Sequence, residues 1–502
     1  MKMTIRQYKT KITINHKLLI SMVSVAFAIF LTGCGNNYKQ AFDTNRTASI
    51  FPEYYGSTLP ENIAPLNFII KESGSKFRVE ISGSSGKPIV ISQSSPKIKI
   101  SLNDWHKLLE SNSGKTIRID ILTRTGKKWN KYKSIEHQIS TDTIDPVLVY
   151  RIVNATYLKW NKMGIYQRDL TCFEETSIIE NSSTDGGCMN CHTFSKNNPS
   201  KMAMHFRIIH PGTMIWNNGK LTKTNTKTDE TMSAGIYPAW HPDGIHIAFS
   251  TGKISPHLTT RSDKPVDVAD KASGLFVYNS EKNSLSTSAE ISTIRRESMP
   301  EWSADGKFLY YISAPEAHKG DDESLLHNRY SLMRIAYDPL TEKLGNAEMI
   351  INADSTGKSF SMPAASPDGK FMVCALTDFG YFTIFHQNSD LYLINFKTNE
   401  LKKMELNSNT AESHSSWSSN SRWLVFSSKR MDGVLTRPYI SFIDSTGTAH
   451  PPFLLPQENP EIYDQLQANY NRPDLVTGKV ELSPIEIRNL VMGEAQNAEM
   501  EK

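Results

Sequence analysis

Two thiols and an imidazole stand together at Cys188-Met189-Asn190-Cys191-His192. Two cysteines separated by two residues, with histidine directly after the second, is the attachment spacing of a c-type haem. Each thiol adds to one vinyl group of the porphyrin, and the adjacent imidazole falls beneath the ring as an axial iron ligand. The chain holds only 5 cysteines in 502 residues, so this spacing carries weight. The expected cofactor is one covalent haem c, attached at Cys188 and Cys191 with His192 on the iron.

Other chemistries remain open for the same residues. A CxxC disulfide or thiol redox pair needs no haem, although no βαβ pattern surrounds the motif as a thioredoxin would require. Zinc held by Cys172, Cys188, Cys191 and His192 is an acceptable ligand set. A sixth iron ligand is sought downstream in Lys201-Met-Ala-Met-His-Phe-Arg207. His205 is the first candidate, and Met202 or Met204 the alternative, which would raise the reduction potential. Arg207 has the planar guanidinium that suits a propionate carboxylate.

The N-terminus sets the compartment. Lys2, Arg6, Lys9, Lys11 and Lys17 precede an apolar stretch from Leu18 to Leu31, which ends in Leu31-Thr32-Gly33-Cys34. This is the layout of a signal peptide, with an apolar segment too short to span a bilayer comfortably. The last four residues resemble the lipobox of bacterial lipoproteins, which implies cleavage before Cys34, lipidation of that cysteine and a membrane anchor. Without residues 1–33 the formal net charge falls from +4 to −1, because that segment holds five cations and no acid. No nucleic-acid partner is expected. Gly-Asn-Asn-Tyr-Lys after Cys34 lacks the aspartate of inner-membrane retention, so the expected place is the outer membrane, facing the periplasm.

The fold that must position the motif is mostly β. Residues 34–48 are polar and read as a tether. Residues 49–146 hold about six short strands, with period-2 alternation in Lys97–Leu102 and Thr116–Ile121, and suggest an immunoglobulin-like β-sandwich. Residues 147–200 read as an aromatic-rich connecting segment that carries the motif. From 201 to 460 an internal repeat decides the architecture. Tyr237-Pro-Ala-Trp-His-Pro-Asp-Gly-Ile-His246 is echoed by Met299-Pro-Glu-Trp-Ser-Ala-Asp-Gly-Lys-Phe308. Met362-Pro-Ala-Ala-Ser-Pro-Asp-Gly-Lys-Phe371 and His414-Ser-Ser-Trp-Ser-Ser-Asn-Ser-Arg-Trp423 follow. Asp-Gly supplies the positive φ of a tight hairpin turn, and each copy reads as strand, turn, strand. Copies 52 to 63 residues apart give a β-propeller of about six blades. Residues 461–502 read as a tail with one helix near Pro484–Val491.

These copies resemble the PD40 repeat of TolB-like propellers. The lipobox, the single CxxCH, the four repeats, Thr436-Arg-Pro-Tyr439 and Phe453-Leu-Leu-Pro-Gln457 together resemble Bacteroidetes-type lipoproteins that combine such a propeller with one CxxCH. The resemblance implies architecture more than activity. No catalytic residue is assigned: there is no GxSxG, P-loop or HExxH, and no hydrolase domain follows the propeller. The expected function is an anchored mono-haem protein with an electron-transfer or redox role, whose propeller docks a partner protein. The alternative is a TolB-like envelope scaffold with a structural cysteine pair and no haem.

Overall fold

A computed structural model describes residues 37–154, 162–258, 266–316 and 325–501. Cys34 and the leader lie outside the described residues. The protein is mostly β, and its strands form an N-terminal sandwich followed by a propeller. No helix among the described residues is long and apolar enough to cross a membrane.

The sandwich is built on Thr116–Thr125, whose alternate residues Ile117, Ile119 and Ile121 are buried as the period-2 pattern requires. This strand lies between Lys128–Lys133 and Ile135–Ser140 in a seven-stranded sheet and also pairs with Lys76–Gly83. The opposing layer is a sheet of three short strands, Ile50–Phe51, Phe68–Ile70 and Lys97–Ile98, plus the helix Leu102–Ser111. The immunoglobulin-like arrangement expected for 49–146 does not form. A helix anchored by Trp105, which donates Nε1–H to the Ile63 carbonyl at 3.0 Å, takes part of the second layer, and two strand pairs run parallel. The expected tether is also shorter than 34–48. Phe42–Thr47 joins the sheet beside Lys128–Lys133, and Arg46 holds Glu72 at 2.6 Å.

The propeller has six four-stranded blades and spans 147–476 rather than 201–460. Blade one takes Val147–Asn154, Met163–Asp169 and Glu175–Glu180 as its outer strands, and Ala468–Val476 as its innermost. Blade two starts at Cys188–Phe194, and blades three to six start at Ile236–Trp240, Arg296–Trp302, Ser359–Ala365 and Glu412–Trp417. These six innermost strands touch one another in order around the axis, and Ala468–Val476 touches both Glu412–Trp417 and Cys188–Phe194. The ring is therefore closed by backbone hydrogen bonds between the two ends of the propeller sequence. Residues 147–200 are not a connecting segment but blade one and the start of blade two.

The tail beyond 461 is structural too. After the closing strand, the helix Pro484–Met492 begins with a capping box in which Ser483 and Glu486 satisfy each other's backbone N–H. Gln496–Asn497 and Glu499–Met500 then add a parallel strand to the outer edges of blades two and three. Such additions cover open sheet edges.

Sandwich and propeller share one apolar core. Trp105, Ile119 and Phe68 cluster with Trp423, Ile440 and Phe453 of blade six and with Leu475 of the closing strand. Trp423 is fully buried and donates Nε1–H to the Asp142 carbonyl at 3.2 Å, while Ser419 donates twice to the Asp145 carboxylate. Trp423→Ala is expected to destabilise the protein by about 3–5 kcal/mol, the usual cost of removing a buried indole. Chemical denaturation followed by far-ultraviolet circular dichroism measures it, and a loss under ~1 kcal/mol would contradict a shared core.

Candidate functional site at the propeller axis

Each innermost strand carries the same distortion. Cys191, Tyr237, Met299, Met362, His414 and Arg472 have φ of 52°, 51°, 52°, 50°, 36° and 47°. Each sits at a register shift in its strand pairing, as a β-bulge does. In four blades the next residue is proline: Pro238, Pro300, Pro363 and Pro473. Proline has no N–H to place in a ladder, so it fits where pairing is interrupted. Cys191-His192 occupies this place in blade two. The cysteine motif is thus one copy of the repeat, in which Asn190-Cys-His-Thr-Phe194 stands for Ile236-Tyr-Pro-Ala-Trp240.

Both thiols are free and buried, Cys188 with 2% and Cys191 with 6% of its surface exposed. Guanidinium groups flank them. Arg207 Nη2 lies 3.7 Å from Cys188 Sγ, and Arg151 donates to the Met189 carbonyl at 3.2 Å and to Asn190 Oδ1. A second Arg151 nitrogen reaches Asn471 Oδ1 on the closing strand at 3.1 Å. Tyr237, the next bulge residue, has its hydroxyl pushed up to about 12, chiefly by burial.

His192 is turned toward blade one. Its ring lies by the Val149 backbone, while Nε2 has no hydrogen-bond partner and lies 3.5 Å from Asp474 Oδ2, itself unpartnered. Burial, then the charges of Arg472 and Arg151, holds the imidazole neutral, well below its usual range. Burial also pushes the Asp474 carboxyl up to about 6, against the pull of Arg472.

The other residues expected at the site lie elsewhere on blade two. His205 pairs with Asn190 across the ladder, and its Nδ1 contacts Thr213 Oγ1 at 3.1 Å. Burial pushes its imidazole down to about 3. Met202 and Met204 are fully buried and belong to the apolar cluster that contains Cys188, Met189 and Met214. Among the described contacts, none joins these three side chains to His192; the group facing His192 Nε2 is Asp474. Cys172 stands in the outer hairpin of blade one beside Asp169 and Glu174, and is not grouped with the motif. Sequence reasoning missed Arg151, Arg472 and Asp474. The signal for the last two was Arg472-Pro473, a repeat of the X-Pro dipeptides at 237, 299 and 362.

The chemistry of these groups suits the cofactor that the motif implies, although the axial cavity is lined by neither thiol nor by His192. A metal-ligating histidine keeps one ring nitrogen unprotonated for the metal, and His192 is neutral with an unpartnered Nε2. Two adjacent guanidiniums match the carboxylate geometry of propionates. Iron at Nε2 would displace the Asp474 contact. Beside the motif, Thr193 and Phe194 reach the wall of an axial cavity of about 500 Å³. Trp240, Trp302 and Trp417 line it along with Glu301, His414 and Asp474. Trp302 and Trp417 are fixed by Nε1–H bonds to the Ala239 and Ala364 carbonyls of the preceding blade, at 3.0 and 3.1 Å.

No protein-family model matches the chain, and no curated protein matches it. Among solved structures, a chain of a nidogen/laminin complex is similar over 66% of this chain and 99% of its own, at 8% identity and a TM-score of 0.37. The Dos1 propeller matches over 47% and 66%, at 13% identity and a TM-score of 0.27. The Cps50 (Swd1) β-propeller domain of Myceliophteria thermophila matches over 54% and 87%, at 9% identity and a TM-score of 0.29. None of these bears on what this chain binds.

Glu301 gives the cavity a pH dependence. Burial pushes its carboxyl up to about 8 from the ordinary 4.5, although it accepts a hydrogen bond from the Ala365 N–H at 3.2 Å. The folded state then holds a proton that the unfolded state releases, so stability present below about pH 4.5 is lost as pH rises toward about 8. Glu301→Gln is expected to remove on the order of 1 kcal/mol or more of that loss between pH 5 and pH 8. Urea denaturation at both pH values checks it, and an unchanged pH slope would count against a protonated Glu301.

Proposed function

We propose that this chain is an exported, lipid-anchored protein that carries one covalent c-type haem at Cys188 and Cys191, with His192 as an axial ligand. The observation that carries this reading is the state of His192. Its Nε2 has no hydrogen-bond partner and burial keeps the ring neutral, directly after two free thiols flanked by Arg151 and Arg207. Haem, when bound, supplies one-electron chemistry at iron. The chain's own residues would anchor it through thioether bonds, fix the imidazole, and pair its carboxylates with guanidinium. The role is electron transfer or redox sensing, with the propeller docking a protein partner.

Localisation follows from the leader. Lipidation at Cys34 would hold the protein to the outer membrane on its periplasmic side, the compartment in which c-type haem is assembled. The second reading is a TolB-like binding scaffold without haem, in which Cys188 and Cys191 are structural. The axial cavity favours it, since aromatic walls with a few convergent polar groups are the usual make-up of a ligand site.

A pyridine haemochrome spectrum separates the two. Expressed beside cytochrome c maturation machinery and then denatured, the protein is expected to show a thioether haem signal. The Cys188→Ala/Cys191→Ala double variant is expected to lose it. Absence of covalent haem in cells that mature other c-type cytochromes would leave the scaffold reading. Cys34→Ala is expected to release the protein from the membrane fraction, and unchanged retention would rule out the lipid anchor.

A further inference from the structure

The turn after the innermost strand of blade three departs from the chain's own pattern. In blades four, five and six this turn begins with Ser303, Ser366 or Ser418, whose hydroxyl bonds the turn residue Asp305, Asp368 or Asn420. Five residues after each serine comes an aromatic side chain, Phe308, Phe371 or Trp423. Blade three has His241 for the serine and His246 for the aromatic, around Asp243. Three copies of the turn therefore form without either histidine, so its folding does not call for them.

The histidines aim at one point. His241 Nδ1 lies 3.0 Å and His246 Nδ1 2.6 Å from Asp243 Oδ2, and the three donor atoms lie within 4.8 Å of one another. The outer nitrogens are engaged as those of ligating imidazoles are. His241 Nε2 lies 2.9 Å from the Gly306 carbonyl of the next blade. The Asp243 N–H also lies 3.1 Å from His241 Nδ1, so backbone and carboxylate of Asp243 both converge on that nitrogen.

His246 Nε2 lies 3.5 Å from Glu342 Oε1 and 3.3 Å from Asn279 Nδ2. Glu342 is in turn held by Lys282 at 2.6 Å and by Asn279 at 2.8 Å. This matches the carboxylate–histidine pairing that orients metal ligands. Trp302 packs edge-on against the His241 ring at 4.7 Å and Tyr337 against the His246 ring at 5.7 Å, which locks both orientations. Both imidazoles are buried, while the Asp243 side is open to solvent.

We propose that His241 Nδ1, His246 Nδ1 and Asp243 Oδ2 bind a divalent transition-metal ion, zinc by the nature of the donors, with a further position open to water. Two imidazoles and one carboxylate with an open position is an established zinc ligand set. Pro242, between two of the ligands, lines the axial cavity, while the ligands themselves do not. The site is separate from Cys188, Cys191 and His192 and does not depend on haem.

The repeats supply the test variants. His241→Ser/His246→Phe installs the residues of blade four, and Asp243→Asn installs that of blade six. Metal-free full-length protein is titrated with zinc chloride by calorimetry, with folding checked by circular dichroism. The wild type is expected to bind one equivalent that both variants lose, and Glu342→Gln to weaken it roughly 10-fold to 100-fold. Absence of zinc binding in the wild type, or an equivalent retained in folded Asp243→Asn, would overturn the proposal. Loss in Asp243→Asn alone supports it even where the double variant fails to fold.

Discussion

Everything at the axis depends on one strand pairing. Val147–Asn154 opens the propeller and Ala468–Val476 closes it, and the backbone hydrogen bonds between them join residues more than 300 positions apart. Without this ladder blade one has no innermost strand, the ring has a gap, and the carboxylate facing His192 is absent. A propeller leaves each blade only short contacts with its neighbours, so closure converts six marginal sheets into one body. The apolar core spread across the sandwich, blade six and the closing strand seals the same seam from outside.

The bulge on each innermost strand determines what the axis presents. It forces six residues into a left-handed backbone conformation, and most blades accept it with proline as the following residue. In blade two the pair is Cys191-His192. This local geometry separates the two side chains: the imidazole goes toward blade one, while Cys191 stays among Arg151, Arg207 and Tyr237. The propeller repeat therefore positions the motif.

What was legible in the sequence follows local physics. Asp-Gly at 243, 305 and 368 marks turns that require positive φ, so blades three to five could be read directly, and blade six from Asn420-Ser421 at the same place. Ser483-Pro484 with Glu486 announces a helix start, and Pro484–Met492 begins there. Blades one and two carry no such turn, and their innermost strands were read as connector and tail. The closing strand, Ala-Asn-Tyr-Asn-Arg-Pro-Asp-Leu-Val, is polar and contains proline, because it lines an axis of polar groups and carries a bulge. Nothing local shows its partner. The same holds for the site: the thiols and His192 were legible from spacing, whereas Arg151, Arg472 and Asp474 meet them only when the ring shuts. Phe42–Thr47 reads as a tether because it is an exposed edge strand with almost no apolar signal.

Order of synthesis gives the closing strand a second meaning. Cys188 and Cys191 are nearly inaccessible in the finished ring, and the strand that completes their surroundings ends at Val476, almost 300 residues later in the chain. During synthesis the thiols emerge early and wait beside an unfinished blade. That interval is a window of reactivity, and it ends with the folding of the last blade. Any covalent change to these cysteines belongs to the assembly of the protein and not to its mature life.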